Sequence, residues 1–249
     1  MIPIILSTAC YHNKYEKVID SVLRAIKPSH GINGIELSFL KKEELMEFEP
    51  NKAIMEYSEN SQIFIHAPAK NIIYLENDES NKVFTKIKSV YNLLGAKNVT
   101  FHLENINSIE YLAQEFSEYN ISVENPDIEN ASKKYFETLE NYLENYNIDL
   151  TLDIEHARND LPKFLTKNIK NKISEIHYSN YNLPFNHDSY SAVFERFNNI
   201  IAVIKDVNKP VVIEIDLRNE AQLFGEFVDN SRFIISKEIA LLKSNLISS

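Results

Sequence analysis

The stretch VFTKIKSVYNLLGAKNVTFHLE, residues 83–104, holds one complete helix-to-strand unit. Val83, Ile87, Val90, Tyr91 and Leu94 recur at helical spacing and form one apolar face. Gly95 follows, the residue type that most easily takes the left-handed conformation ending a helix. Asn98–His102 (Asn-Val-Thr-Phe-His) then reads as a short β-rich strand that ends in a histidine. Working outward, the same alternation recurs. Ile2–Ser7, Gly34–Ser38, Ile63–Ala67, Ile121–Glu124, Asp149–Ile154, Ile173–Tyr178 and Pro210–Ile215 also read as strands. Phe194, Phe197, Ile201 and Ile204 mark a helix before the last strand, and Ile234, Ile235, Ile239, Leu242 and Leu246 mark a closing one. Eight strands spaced roughly 30 residues apart, most of them continuously apolar, are expected of a parallel sheet covered on both faces.

The chain has 249 residues, a length that suits one (β/α)8 barrel spanning 1–249 as a single domain. No Pro/Gly/Ser-rich linker or composition break divides it. Pro68 and Pro126 fall just beyond strand ends, where a missing N–H costs least. The four glycines, at 31, 34, 95 and 225, cannot form a G-x-G-x-x-G or P-loop, which excludes the common nucleotide-binding open sheets. Cys10 is the single cysteine, so no intrachain disulfide forms and a reducing, cytoplasmic setting is expected. The apolar N-terminal run lacks a basic leader and reads as a strand, and no run is long enough to span a membrane. A net charge of −10 disfavours nucleic acid as a partner. The sequence gives no reading of oligomeric state.

The chemistry lies in where the titratable residues fall. His66 ends the third strand, His102 the fourth, Glu124 the fifth and Asp153 the sixth, with His156 three residues on; His177 ends the seventh and Glu214 lies in the eighth. The C-terminal ends of barrel strands converge on one mouth, where catalytic residues gather. A lone strand-end histidine is more often structural than a ligand, but charged groups are costly in apolar strands unless paired or ligated. Six consecutive strands ending this way point to divalent metal. His187 joins the candidates less firmly, and His12 and His30 read as solvated. Imidazole and carboxylate donors without thiolates suit zinc or manganese first, then cobalt, iron or magnesium, with one to three ions. Glu124 is the carboxylate best placed to bridge two of them. Glu104, Glu155 and Glu175 lie near enough in sequence to support the histidines, although Glu155 and Glu175 are expected to point outward into the helix layer.

The order His, His, Glu, Asp-x-x-His, His, Glu on strands three to eight resembles the xylose isomerase-like TIM-barrel superfamily. That family includes sugar isomerases and epimerases and the AP endonucleases of the endonuclease IV type. Gly31-Ile-Asn-Gly34-Ile-Glu36-Leu resembles its second strand, His66-Ala-Pro its third, and Leu94-Gly95-Ala96-Lys97-Asn98-Val99 the approach to its fourth. The resemblance implies a four-ligand site at Glu124, Asp153, His177 and Glu214. It implies further that His66 and His102 complete a second metal position, and that His156 contacts substrate or a third zinc. Three elements depart from it. Glu104 stands where the family has a glycine two residues after the fourth-strand histidine. Phe185-Asn186-His187-Asp188 keeps a histidine without the endonuclease branch's aspartate, and Leu183 stands where epimerases have arginine.

Two activities and one inert reading follow. The first is metal-dependent isomerisation or epimerisation of a small carbohydrate or sugar phosphate through an enediolate, with Glu124 and Glu214 as acid and base and His156 on a substrate oxygen. Lys70, Arg158 or Arg218 would be available to a phosphate, although each reads first as an ordinary solvated charge. The second is hydrolysis of abasic DNA by clustered metals, with Tyr178, Tyr181 and Tyr190 available to stack on bases. The third is a non-catalytic barrel keeping a structural metal.

Overall fold

The computed structural model describes residues 1–11, 18–26, 31–126, 133–158, 161–182, 185–188, 197–215 and 230–247. His12, His30, Leu183, Tyr190, Phe194 and Arg218 lie outside them. Eight parallel strands close into a barrel: β1 (Ile4–Ser7), β2 (Gly34–Ser38), β3 (Gln62–His66), β4 (Val99–His102), β5 (Ile121–Glu124), β6 (Asp149–Asp153), β7 (Ile173–Tyr178) and β10 (Val211–Ile213), the last pairing with both β7 and β1. The expected strands are all present, with ends shifted by at most two residues. One pairing was not foreseen, an antiparallel hairpin of β8 (Asn180–Asn182) and β9 (Phe185–Asp188) between β7 and the next helix.

Helices follow most strands: α1 (Val18–Ala25), α2 (Lys42–Glu47), α3 (Lys52–Ser58), α4 (Asp78–Leu94), α5 (Ile109–Glu115), α6 (Lys133–Asn145), α7 (Ile154–Ala157), α8 (Leu161–Phe164), α9 (Lys167–Lys170), α10 (Phe197–Val207) and α11 (Asn230–Ile247). Helix α4 shows how local sequence sets the ends. The Asn77 side chain accepts from Ser80 N at 2.8 Å, satisfying a free N–H of the first turn. At the other end Gly95 takes φ 60° and ψ 41°, the left-handed stop expected of it. Val83, Phe84, Ile87, Val90 and Leu94 are buried between this helix and the sheet, where Phe84 meets Phe101 and Phe116 edge-on. Helix α11 is tied down by more than packing, because Tyr178 Oη donates to buried Glu238 at 3.0 Å.

The inside of the barrel is divided. Ile5, Phe64 and Val212 form a small apolar cluster of their own on the β1, β3 and β10 side. Facing it, on β4 to β7 and the residue before β4, stand Asn98, Thr100, Ser122, Thr151 and Glu175, all buried. Their side chains are joined by hydrogen bonds, while Glu175 Oε2 is buried without a partner among the described residues. Glu175 Oε1 accepts from Asn98 at 3.0 Å, from Thr100, and from Thr151 at 3.1 Å, while Ser122 and Thr151 are 2.6 Å apart. This polar shelf lies one layer below the strand-end residues. No described helix is long and apolar enough to cross a membrane.

Candidate metal centre

Strand register brings the predicted residues together before any side-chain detail is considered. His102 is level with Glu124 across β4 and β5, and Asp153 is level with His177 across β6 and β7. Glu214 is two residues beyond Val212, which is itself level with His177, so all of these reach the same end of the barrel.

Glu124 is the hub. Its Oε2 lies 3.0 Å from His66 Nε2, 3.6 Å from His102 Nε2 and 3.7 Å from His177 Nδ1, while its Oε1 lies 3.2 Å from His156 Nδ1. The two oxygens of one carboxylate therefore face different partners. The same His177 Nδ1 lies 3.1 Å from Glu214 Oε2 but outside hydrogen-bonding alignment. Asp153 spends Oδ1 on the His156 N–H at 2.8 Å, which caps α7, and Asn125 clamps its backbone through both N and O. Four sets of donor atoms lie close enough to share an ion: His66–His102–Glu124, Glu124–Asp153–His156, Asp153–His177–Glu214, and Glu36–Glu175–His177.

Charge state follows from this crowding. Burial would lower the His66 pKa, but its hydrogen bond to Glu124 and the charges of Glu36, Glu124 and Glu214 outweigh it, so the pKa is pushed up to about 9. His156 and His177 are also burdened by burial and held well above the ordinary histidine range by neighbouring carboxylates. Burial acts on Glu124 in the opposite sense, yet His102, His156, His66 and His177 hold its carboxyl well below the usual value. Glu104 hydrogen-bonds His102 Nδ1 at 3.2 Å, which turns Nε2 of that ring towards Glu124.

The site fits a divalent cation on the behaviour of two atoms. Asp153 Oδ2 and His177 Nδ1 are fully buried, and neither has a hydrogen-bond partner among the described residues. Leaving such atoms unsatisfied is costly, and both belong to the Asp153–His177–Glu214 set. Carboxylate and imidazole donors match zinc and manganese. Cys10 takes no part, because its Sγ is engaged with Ile213 O and Ile215 N.

Several expectations are corrected. Glu175 does not point outward: it is fully buried inside the barrel, and burial together with the charge of Glu36 raises its pKa. Glu155 is also buried, 3.6 Å from His156 Nε2 and 3.4 Å from Arg158. Arg158 is accordingly no solvated charge; its side chain is 10% exposed, and its backbone takes φ 42° at the end of α7. Lys70 is exposed, as expected. Tyr178 is buried against Glu238 and unavailable for stacking on a base. The backbones of Tyr181 and His187 belong to the β8–β9 hairpin, but their side chains lie outside the described ones, as does the role expected of His187. Glu36 was missed as a site residue: it is fully buried in β2 and 3.1 Å from His177 Nε2. A lone glutamate within Gly-Ile-Glu-Leu-Ser was its signal.

No protein-family profile matches the chain, and no curated protein sequence matches it. Solved structures do. A protein from Bacillus anthracis described as the probable 3-DHS dehydratase of petrobactin synthesis superposes with TM-score 0.67 at 13% identity, covering 97% of this chain and 99% of that one. The D-allulose 3-epimerase of Methylomonas sp., in complex with D-allulose, gives 0.62 at 12% identity over 98% and 97% of the two chains. Endonuclease IV from Thermus thermophilus gives 0.59 at 13% identity over 99% and 100%. What the chain shares with all three is the closed, eight-stranded parallel β/α barrel. At such identities the likeness is one of fold, and these three enzymes differ in reaction, so the chemistry has to be argued from the mouth itself.

Proposed function

We propose that the chain is a divalent-metal-dependent isomerase or epimerase of a small sugar or sugar phosphate. The observation that carries this reading is the placement of Glu124 and Glu214. They come from β5 and the end of β10, with β6 and β7 between them, yet both converge on His177 Nδ1, at 3.7 and 3.1 Å. Two carboxylates brought to one point can divide proton removal and return at adjacent carbons between them. A divalent ion held by Glu124, Asp153, His177 and Glu214 would polarise a carbonyl and its neighbouring hydroxyl and stabilise the enediolate.

The chain's own groups divide the remaining work. Glu124 is held ionised by its histidines, so it is ready to accept a proton but is a weak base. Glu214 has the more exposed side chain, 19% against 3%, and so is the better placed to exchange protons with substrate. His156 Nδ1 is ringed by acceptors, Asn125 O at 3.0 Å and Glu124 Oε1 at 3.2 Å. A ring so placed carries its proton at Nδ1 and acts as a donor near the mouth. The net charge of −10 supports a small substrate over a nucleic-acid backbone.

A second reading, hydrolysis of a phosphodiester as at abasic DNA, is favoured by the His66–His102–Glu124 set, which offers a further ion position bridged through Glu124. One experiment separates the two. Metal content is measured on wild type and on the His66→Ala, His102→Ala double variant. In parallel, deuterium uptake from solvent is followed in a panel of aldoses, ketoses and their phosphates, alongside cleavage of an abasic oligonucleotide. Carbon-bound deuterium in one sugar, abolished by Glu214→Gln with its metal retained, supports the isomerase. Oligonucleotide cleavage lost with one ion in the double variant, and no sugar exchange, replaces it with the hydrolase.

A further inference from the structure

We propose that Glu36 is the positioning residue of this centre: it accepts the Nε2–H of His177 and so turns the Nδ1 lone pair of that ring towards Asp153 and Glu214. The proposal rests on the metal reading given above and adds a residue that the strand-end pattern does not contain. β2 and β7 are separated by β1 and β10 in the barrel wall, so Glu36 and His177 meet across the lumen. Both are fully buried there, with Oε2 and Nε2 3.1 Å apart in a hydrogen bond. The opposite nitrogen, Nδ1, is the one without a hydrogen bond, and it belongs with Asp153 and Glu214. A proton on Nε2 leaves Nδ1 with its lone pair, so this contact selects the tautomer that can ligate.

Glu36 is also expensive where it stands. Its Oε1 is buried without a partner among the described residues, and the carboxylate of Glu175 is near enough to join it in one donor set. An apolar side chain of similar volume would avoid burying that charge. The cost is offset if the charge is felt through the imidazole, where it raises the basicity of Nδ1 towards a cation. Local structure holds the carboxylate in place. Gly34, on the same face two residues earlier, packs so closely on β3 that an added Cβ would come 2.1 Å from Gln62 O. Ser38 N, two residues later, is fixed by Thr8 Oγ1 at 2.9 Å.

The test uses zinc-loaded full-length protein with 15N-labelled histidine. Long-range proton–nitrogen NMR should show His177 with its proton on Nε2 and a metal-shifted Nδ1. The reverse assignment overturns the proposal, and this measurement needs no variant to fold. Competition titration with a chelator should then show one bound ion weakened roughly 10- to 100-fold in Glu36→Leu and less in Glu36→Gln, which keeps an acceptor but not the charge. Wild-type affinity in Glu36→Leu, with the tautomer unchanged, overturns the proposal. Failure of wild type itself to bind any divalent ion overturns the metal reading and the role of Glu36 together.

Discussion

Loading the centre with metal near neutral pH should expel protons, and the cost can be worked from His66. That imidazole has its pKa pushed up to about 9, so in the metal-free protein at pH 7 it is almost wholly protonated. A ligating nitrogen must lose its proton first. Two pH units below that pKa, deprotonation costs about 2.7 kcal/mol, or roughly 100-fold in apparent affinity at the His66–His102–Glu124 position. Apparent affinity there should rise about tenfold per pH unit from 7 to 9 and level off above. His177, also raised, should steepen the dependence at its own position. Isothermal titration in buffers of different ionisation enthalpy counts the protons directly, and at pH 7 about one or more should leave with the first ion. An affinity flat between pH 7 and 9, with no buffer-dependent heat, would refute His66 as a ligand and the charge balance assigned to the cluster.

The metal-free protein should show the opposite trend in stability. A folded-state pKa near 9 against an ordinary 6.5 contributes stability that is complete below pH 6.5 and lost as pH rises through 9. The unfolding free energy from urea titration in chelator should therefore fall between pH 6 and 9.5, by roughly 3 kcal/mol from His66 alone. Equal free energies would contradict the ion pairing to Glu124. Gly34→Ala should fail to fold or lose more than about 3 kcal/mol, because the clash is with backbone of the neighbouring strand. Soluble protein with a wild-type melting curve would refute the close approach. Glu175→Gln should stay within about 1 kcal/mol of wild type in chemical denaturation, since the amide oxygen can take the same three donors. A large loss would mean that the charged form of Glu175 is needed.

Barrel and mouth were legible for different reasons. Apolar runs broken at similar intervals mark strands covered on both sides, and the histidines and carboxylates betray themselves by ending those runs. The β8–β9 hairpin was not legible, because Asn180-Tyr-Asn182 and Phe185-Asn-His-Asp188 are too short and too polar to show a strand period. Glu36 escaped because it lies two residues before the end of its strand, short of the position at which the other site residues fall. Glu175 was legible in principle: two residues before His177 on one strand, it must share the inward face. Glu155 gave no such signal, since its backbone has already turned into α7 and strand periodicity no longer applies. The burial of Arg158 likewise depends on its ion pair with Glu155, a contact made only once that turn exists.

The divided lumen has a consequence for anyone altering this protein. Ile5, Phe64 and Val212 touch through shape alone, and hydrophobic exchanges of matched volume there should pass with little penalty. The opposite wall behaves as one unit, because Asn98, Thr100, Ser122, Thr151 and Glu175 share donors and acceptors across four strands. Replacing a single member by a side chain that cannot hydrogen-bond leaves its neighbours without partners, so apolar changes on that side have to be made in concert. Libraries aimed at new specificity would therefore keep that wall intact and diversify the apolar one.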